Sequence, residues 1–305
     1  MTLWIGIDVA KASLAVCVLP AKQLFSFPNT PKGHAQLLAQ LAGKDIGNVL
    51  LEATGGYERA VMQALAQARL PVTRINPRRA RAFATAMGKT AKTDPIDAAL
   101  LARMAELVRS PEPPHSRQQE ALRALVQRRE QLVEQRDSER RRLQQATLPA
   151  VKDDLAEHIQ QLQQRIKALG KAMSQSLHGP LAKRLLTIPG IGPVTAASLA
   201  AYLPELGLLD RRQIAALAGL APYNVDSGQH SGKRRIRGGR ALIRRVLYMA
   251  CLTVIRKQAD FKRRYTQLRA QGKLAKVAIT ACMRVLLVRL NAMVRDKAEW
   301  KMTGG

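Results

Sequence analysis

Four carboxylate residues combine side-chain type and spacing in a way that suits phosphodiester chemistry. They are Asp8, Glu52, Asp94 and Asp97. Asp8 lies in one apolar run and Glu52 ends another, whereas the two later residues are three apart and share one face of a helix. Carboxylate oxygens hold pairs of divalent cations, which stabilise the attacking and leaving oxygens of a phosphodiester. The four residues are therefore predicted to form a divalent-metal site.

The segments around these carboxylates predict a mixed α/β domain over residues 1–110. Strands are expected near 3–9, 13–19, 22–28, 48–52 and 71–76, and helices near 31–43, 57–69, 77–87 and 94–109. Three leading strands followed by alternating elements indicate a mixed sheet covered by helices, an order that suits a ribonuclease H fold. The Glu52 strand would then lie beside the Asp8 strand, with the Asp94 helix packed over both.

Each carboxylate taken alone also has a purely structural explanation. Asp8 and Glu52 could simply end strands in solvent. Asp94 precedes Pro95 and would serve as a helix cap, and Asp97 would be a first-turn acid favoured by the helix dipole. The metal-site prediction therefore depends on all four lying at matching ends of one predicted sheet.

Two long helices and a mainly helical C-terminal part are predicted beyond residue 110. The proline-rich segment 111–114 is typical of a linker. Helical patterns cover 117–145 and the residues after Pro149, and together they indicate a helical hairpin or an arm that dimerises. The second helix has an apolar seam with alternating spacings of four and three, formed by Leu155, Ile159, Leu162, Ile166 and Leu169.

Two glycine-containing segments of the C-terminal part suit contact with phosphates. Gly190 and Gly192 lie in a turn that resembles a helix-hairpin-helix turn, in which backbone N–H groups approach a phosphate. An ordinary tight turn between packed helices is the structural alternative. Residues 227–245 hold seven Lys or Arg and no acid, which is typical of phosphate contact. The predicted contacts are Lys233, Arg234, Arg235, Arg237 and Arg240.

A third basic stretch leads into the Asp94 helix and includes Arg78, Arg79 and Lys92. These residues either guide a nucleic-acid backbone to the metals or form a solvated helix face, and the sequence leaves both alternatives open. Aromatic residues make up only 4% of the chain, so base stacking is not expected to be the main binding mode.

The overall charge points to a polyanionic partner, most simply nucleic acid. The formal net charge is +28, distributed as +7 over residues 1–110, +3 over 111–179 and +18 over 180–305. No signal peptide, lipidation signal or bilayer-spanning apolar stretch is expected, which argues against a membrane partner. The three cysteines are far apart and show no disulfide or zinc spacing, so a cytoplasmic location is expected.

The combination of motifs resembles the DEDD transposases of bacterial insertion sequences, the bridge-RNA-guided recombinase family. The similar N-terminal motifs are Gly6-Ile7-Asp8-Val9-Ala10-Lys11, Glu52-Ala53-Thr54-Gly55-Gly56-Tyr57 and Lys92-Thr93-Asp94-Pro95-Ile96-Asp97-Ala98. The similar C-terminal motifs are Ile188-Pro189-Gly190-Ile191-Gly192, Gly219-Leu220-Ala221-Pro222 and Ser227-Gly228. One departure is Gly238-Gly239-Arg240, where many relatives have Gly-Asn, and it bears on subgroup rather than on chemistry.

The resemblance implies three domains and a two-part reaction site. The domains are a RuvC-like catalytic domain at 1–110, a coiled-coil arm at 111–179 and a transposase domain at 180–305. The four carboxylates would bind two Mg²⁺ ions, for which Mn²⁺ would substitute. Ser227 would attack DNA and form a covalent phosphoserine, with Ser231 as the rival nucleophile. A structured non-coding guide RNA would pair with donor and target DNA, and the protein would form a dimer or tetramer.

The expected function is RNA-guided DNA strand cleavage and rejoining by a transposase. A metal-dependent nuclease of the Holliday-junction type, which uses water and forms no covalent intermediate, is the first alternative. A non-catalytic nucleic-acid-binding protein with a decayed nuclease domain is the second. A covalent protein–DNA adduct separates the first alternative from the expected function, and metal-dependent activity excludes the second.

Overall fold

The protein is described as a computed structural model that covers residues 1–88, 94–108, 117–223 and 235–300. The chain divides into two compact units, Met1–His115 and Ser116–Gly305. Each unit has its own hydrophobic core. The further division of the second unit at residue 179 stays a prediction.

The N-terminal unit is a five-stranded mixed sheet with helices on both faces. Its strands are β1 (Leu3–Val9), β2 (Ser13–Leu19), β3 (Gln23–Pro28), β4 (Ile46–Glu52) and β5 (Val72–Ile75). Its helices are α1 (Pro31–Leu41), α2 (Glu58–Gln67), α3 (Pro77–Ala86) and α4 (Asp94–Leu107). The sheet order is β3-β2-β1-β4-β5, and β1 is antiparallel to β2 but parallel to β4. The predicted mixed α/β sheet is confirmed, with element ends within two residues of the expected ones.

The central strand β1 contributes to hydrophobic clusters on both faces of the sheet because side chains alternate along a strand. Ile5 and Ile7 pack in the cluster that includes Leu37 of α1 and Leu65 of α2. Trp4 packs on the other face, in a cluster that includes Leu101 of α4. Burial on both faces explains why this central strand is an almost continuous apolar run in the sequence.

Gly6 allows α4 to pack directly against β1. A Cβ atom at this position would overlap backbone atoms of Ala98 and Ala102. Backbone atoms cannot rotate away as a side chain can, so this close approach of helix and strand requires glycine. Helix α4 also packs against β2, where the buried Cys17 contacts the same two alanines.

The C-terminal unit is mainly helical, as predicted. Its helices are α5 (Arg117–Gln145), α6 (Pro149–Ser176), α7 (Pro180–Leu186), α8 (Pro193–Tyr202), α9 (Arg211–Leu217), α10 (Ala241–Lys257), α11 (Ala259–Ala270) and α12 (Ala275–Arg295). Two short strands, β6 (Pro222–Tyr223) and β7 (Arg235–Ile236), pair antiparallel. Helices α5 and α6 pack against each other as a hairpin, where Leu132 contacts Leu162 and Ile166 of the predicted seam.

Helix α8 packs against both the hairpin and the rest of the unit. Its Ala197 and Ala201 share a cluster with Leu122 of α5 and Met173 of α6. Its Leu199 belongs to the main core that α10 and α12 also build. The hairpin and the remaining helices are therefore joined through one element with two buried sides.

Helix α12 is largely apolar, but Arg284 and Arg289 interrupt it, so the expectation that no uninterrupted apolar stretch spans a bilayer stays a prediction. It is the one helix among the described residues that is long and apolar enough to cross a bilayer. Half of its apolar window is buried inside the C-terminal unit, and Cys282, Leu286 and Leu290 are fully buried. The buried core helix of a protein passes the same test of length and composition as a membrane-spanning helix. The sequence alone does not distinguish these two kinds of helix.

Candidate functional site

Asp8 and Glu52 lie next to each other on neighbouring parallel strands. The register pairs Ile7 of β1 with Leu51 of β4, so the next residue on each strand is one of the two carboxylates. Glu52 follows Leu50 by two residues, and Leu50 packs in the cluster beneath α4. Alternation along the strands therefore directs both carboxylates to the face of the sheet that α4 covers.

The first turn of α4 lies at the same end of the sheet as these two carboxylates. Trp4, near the start of β1, packs with Met104 and Ala105 in the second half of the helix. Gly6, two residues later, lies beneath Ala98 and Ala102. The helix therefore runs opposite to β1, which brings its first turn toward the end of the strand that carries Asp8.

The two carboxylates of this first turn, Asp94 and Asp97, have different surroundings. Asp97 is partly buried and lines a cavity of about 390 Å³ together with Glu52 and residues of α3. Asp94 is exposed at the first residue of the helix. The structure thus brings Asp97 to the same cavity as Glu52, whereas Asp94 lies at the solvent side of the helix end.

The donor chemistry of these carboxylates suits a hard divalent cation, because Mg²⁺ takes oxygen ligands. Among the residues that the structure describes, no group of three or more His, Cys, Asp or Glu side chains is close enough to hold a metal ion. The fold therefore places Asp8, Glu52 and the first turn of α4 on the same face and at the same end of the sheet. The four-carboxylate metal site stays a prediction, and Lys92 lies outside the described residues.

Glu58 holds the turn that follows Glu52, and the sequence analysis did not single it out. Its buried carboxylate accepts hydrogen bonds from the backbone N–H groups of Thr54 (3.1 Å) and Gly56 (2.8 Å). Arg74 of β5 lies 3.6 Å from the other carboxylate oxygen. A carboxylate satisfied in this way fixes the backbone directly after Glu52.

Asn29 joins the same turn to the end of β1. Its side-chain amide donates to the carbonyl oxygens of Ala10 (2.9 Å) and Tyr57 (3.2 Å). His34 Nε2 lies 2.8 Å from Asn29 Oδ1, and burial lowers the pKa of this histidine, which favours a neutral ring. We assign the Nε2 proton to this hydrogen bond because the amide oxygen can only accept. The residues that follow Asp8 and Glu52 are thereby tied to one side chain.

Replacing Glu58 by alanine is expected to destabilise the N-terminal unit by about 3 kcal/mol. The substitution leaves two backbone N–H groups and the Arg74 guanidinium without this acceptor, and breaking a buried pair in this way is costly. Chemical denaturation of the full chain measures the change. Glu58→Gln retains one acceptor oxygen and is expected to cost less. Equal stability of Glu58→Ala and the unchanged protein would refute the structural role of this carboxylate.

Arg78 and Arg79 are exposed in the first turn of α3. Asn76 caps this helix by accepting from the N–H of Arg78, so the two guanidinium groups project from a well-formed helix start. Arg81, three residues beyond Arg78 on the same helix, lines the cavity that contains Glu52 and Asp97. These positions are compatible with a nucleic-acid backbone that approaches the carboxylates.

The two glycines of the turn between α7 and α8 have different environments. Gly190 has a φ of +89°, and a Cβ atom there would meet Ala250 O and Thr253 Cβ of α10 at 2.8 Å. Gly190 is therefore needed for packing and for its left-handed backbone. Gly192 is exposed with open space around it and caps the N-terminus of α8. Of the two, Gly192 has the environment that suits an approaching phosphate.

The basic segment of the C-terminal unit, residues 227–245, starts after β6, includes β7 and ends in α10. Ser227, Ser231, Lys233 and Arg234 lie between these strands, outside the described residues. Arg235 is exposed on β7. Arg237 is also exposed, and its guanidinium lies 5.2 Å from the centre of the Tyr223 ring.

The two backbone segments at the base of this strand pair lie in close contact, and the Arg244 side chain joins them. Gly219 and Gly239 both have positive φ, and a Cβ atom on either would overlap backbone of the opposite segment. Arg244 Nη1 donates to the carbonyl oxygen of Gly238 at 2.5 Å, and the Arg240 N–H donates to Leu217 O at 3.1 Å. The two ends of the segment that contains Ser227 are therefore fixed to α9 and α10.

Arg240, predicted as a phosphate contact, has a partner within the protein. Its guanidinium donates two hydrogen bonds to the carboxylate of Glu205, at 2.5 and 2.6 Å, and a third to Tyr202 O at 2.9 Å. Burial alone would raise the pKa of Glu205, but hydrogen bonding to Arg240 and its charge outweigh burial, so the pKa is lowered. The geometry is that of a partly buried structural ion pair.

The pKa of Glu205 is lower in the folded state than its ordinary value of 4.5. Its carboxylate therefore stabilises the folded protein at pH values above about 4.5. That contribution is lost as the pH falls through the folded-state pKa. We expect Glu205→Gln to be less stable than the unchanged protein at pH 7, with the difference shrinking below about pH 4.5. Thermal denaturation across this range measures it, with the exposed Glu157→Gln as control. A difference independent of pH would contradict the assignment.

Known protein families and individual proteins match nearly the whole chain. A DEDD transposase family of the IS110 group matches residues 5–151, and a second family, described as "Transposase IS116/IS110/IS902 family", matches residues 182–266. A pilin gene-inverting protein of Moraxella bovis is 30% identical over 311 residues, which cover 96% of each chain. The corresponding protein of Moraxella lacunata is 29% identical over 309 residues, with the same coverage.

A protein of the insertion element IS116 from Streptomyces clavuligerus is 32% identical over 166 residues, about half of this chain. Both families that match are transposases, and the two matched ranges include the carboxylates as well as the glycine turn and the basic segment. Transposases are enzymes that act on DNA, which agrees with the strongly positive charge. The chain belongs to the IS116/IS110/IS902 family of transposases.

Proposed function

We propose that this transposase cleaves and rejoins DNA strands at a site built by the carboxylates of a ribonuclease H-like, RuvC-like N-terminal domain. The observation that carries the proposal is the placement of Asp8 and Glu52 side by side under the end of α4 that bears Asp97. The sheet order, with β1 in the centre between an antiparallel and a parallel neighbour, supports this fold assignment.

Asp8, Glu52 and Asp97 would hold divalent metal, with Asp94 completing the set. Mg²⁺ bound there, or Mn²⁺ in its place, would stabilise the charge that develops on the phosphodiester oxygens. Within the chain, Glu58 and Asn29 keep the two strand ends in register, and Arg81 adds positive charge at the cavity wall. The protein thus orients the carboxylates through its own backbone before DNA arrives.

Ser227 is the proposed nucleophile, by its match to the Ser-Gly motif of the family. Its Oγ would lose its proton and form a bond to phosphorus, while the phosphodiester P–O bond breaks and one strand leaves with a free hydroxyl. Rejoining reverses these steps with the hydroxyl of another strand, so the bond energy is conserved and no ATP is needed. The packed backbone of Gly219 and Gly239 supports this role because it fixes both ends of the segment.

The nucleic-acid contacts that we propose are the exposed groups of the predicted set. In the described residues these are Arg78, Arg79, Gly192, Arg235 and Arg237. Arg240 is removed from the set because Glu205 occupies its guanidinium. Lys92, Lys233 and Arg234 remain in the proposal on their sequence alone.

The proposed partners are donor DNA, target DNA and a structured guide RNA, acting on a dimer or tetramer in the cytoplasm. A protein with many basic residues and few aromatic ones suits backbone contact, and base pairing with RNA would then supply the sequence specificity. The arm formed by α5 and α6 would be the coiled-coil element of such an assembly.

The names of the Moraxella relatives point to one outcome of this chemistry. Both are pilin gene-inverting proteins that align with nearly the whole chain. Inversion and transposition both require two cleaved sites to be rejoined in a new arrangement. We therefore propose that the present chain also supports inversion when two sites face each other on one DNA molecule.

The experiment that tests the guide is purification of the protein expressed with the DNA that flanks its own gene, followed by sequencing of the bound nucleic acid. A discrete RNA encoded beside the gene is the expected result, and it supplies the target sequence for recombination assays. Heterogeneous nucleic acid without such an RNA would refute guidance and would favour a structure-selective nuclease.

A further inference from the structure

The end of α10, the exposed part of α11 and the start of α12 carry charged side chains that are almost only basic, and together these exposed residues are here called the α11 surface. Eight of its residues are Lys or Arg, and all eight are exposed. They are Arg256, Lys257, Lys262, Arg263, Arg264, Arg269, Lys273 and Lys276. No part of this surface belongs to the carboxylate site or to the basic segment that contains Ser227.

The single acid in this stretch does not neutralise the α11 surface. Asp260 forms an ion pair with Arg289 of α12, a basic residue outside the surface. The Arg289 guanidinium also lies 4.8 Å from the centre of the Phe261 ring. The negative charge of Asp260 thus lies beside Arg289, and with eight basic residues against this one acid the stretch stays strongly positive.

The α11 surface is carried on firmly packed elements. Phe261 is 1% exposed in the main core, and Tyr265 packs against the same core. Arg269 donates a hydrogen bond from Nη1 to the carbonyl oxygen of Lys273 at 2.6 Å, which closes the turn between α11 and α12. The basic groups are therefore presented at fixed backbone positions, with flexibility only in their side chains.

The chemistry of the α11 surface selects a polyanion with a regular backbone. Eight like charges repel the same surface of a second copy, so a symmetric contact between two copies is unfavourable. Phe261 and Tyr265, the aromatic residues of this stretch, pack inward, which leaves no described ring there for stacking on unpaired bases. The 12 residues of α11 extend about 18 Å, a length of duplex that carries roughly ten phosphate charges.

We propose that the α11 surface binds the phosphate backbone of duplex DNA, as a second contact distinct from the reaction site. The inference rests on the proposed action on DNA and adds to it the surface that holds the duplex. Contacts to phosphates carry no sequence information, so this surface would bind flanking DNA of any sequence.

The test uses the full chain with three substitutions, Lys262→Gln, Arg263→Gln and Lys273→Gln, which retain helix-forming side chains. Binding to a short DNA duplex of arbitrary sequence is measured by fluorescence anisotropy over a range of NaCl concentrations, with EDTA present to prevent cleavage. Removal of three phosphate contacts is expected to reduce the slope of log K against log salt by about 2.7. Circular dichroism and thermal melting show that the variant is folded.

The matched control removes three exposed basic residues of the hairpin, with Arg141→Gln, Lys152→Gln and Lys171→Gln. Its net charge equals that of the test variant, and its slope is expected to stay near that of the unchanged protein. Equal slopes for the test and control variants, with DNA binding by the unchanged protein intact, would refute DNA binding by the α11 surface. The proposed function would not be affected by that result. Failure of the unchanged protein to bind DNA would overturn both.

A further arm separates duplex DNA from structured RNA. The same variants are measured on double-stranded RNA of the same sequence. The proposal expects the three α11 substitutions to weaken duplex DNA binding. Loss of RNA binding with unchanged DNA binding would assign the α11 surface to RNA and overturn the proposal.

Discussion

Replacement of Asp8 by asparagine is expected to abolish DNA strand cleavage while leaving the fold of the N-terminal unit intact. Asparagine has nearly the same shape, but it lacks the charge that a divalent cation requires of its ligands. Loss of residues that merely support metal ligands costs about 10- to 100-fold in activity or metal affinity, and loss of a ligand itself is expected to exceed that. Cleavage of a DNA substrate in the presence of Mg²⁺ measures the effect.

A readout independent of activity is the rise in melting temperature when Mg²⁺ or Mn²⁺ is added. Binding to the folded state alone stabilises it by about 2.7 kcal/mol at a hundredfold excess over the dissociation constant. The unchanged protein is expected to show this rise and Asp8→Asn to lose it. Glu106→Gln, an exposed carboxylate in the last turns of α4, is the matched control. Full cleavage activity in Asp8→Asn would refute the metal site.

Replacement of Ser227 by alanine is expected to eliminate the covalent protein–DNA adduct while DNA binding is retained. Removal of an enzymic nucleophile lowers the rate on the order of 10⁴- to 10⁶-fold, because no other group occupies its position. Denaturing gel electrophoresis of a labelled DNA substrate after quenching detects the adduct. Mass spectrometry of the digested adduct identifies the modified serine.

Ser231→Ala is the control for this experiment, since Ser231 is also followed by glycine in the same segment. It is expected to form the adduct. The reverse pattern, with the adduct lost only in Ser231→Ala, would identify Ser231 as the nucleophile. Cleavage without any adduct in the unchanged protein would identify water as the nucleophile and support the junction-type nuclease instead.

The centre of the N-terminal sheet was predictable because β1 and β4 are largely buried. Continuous apolar runs around Asp8 and before Glu52 indicate strands covered on both faces, and the order of elements makes them neighbours. Their alternation then sets the direction of both carboxylates. The sequence does not fix the distances among the four carboxylates in the same way, because they depend on placements of a few ångström at a helix end.

The supporting residues of the site were missed because their partners are distant in sequence. Glu58 gains its role from the two N–H groups of the preceding turn and from Arg74 on the next strand. Arg240 lies in a basic segment, and nothing near it in the sequence indicates that Glu205 binds it. From the sequence alone, a charged residue is interpreted through its neighbours along the chain. In the folded protein its partner can come from a distant element.

The double packing of α8 has a consequence for the modularity of this transposase. Arg123 Nε of α5 donates to Ala201 O at 2.8 Å, and Arg240 donates to the carbonyl oxygen of the next residue, Tyr202, at 2.9 Å. One helix end is thus shared by the root of the hairpin and by the base of the segment that bears Ser227. A chimaera joined at residue 179 would inherit an α8 with one bare apolar side, so a graft that folds has to carry the hairpin along.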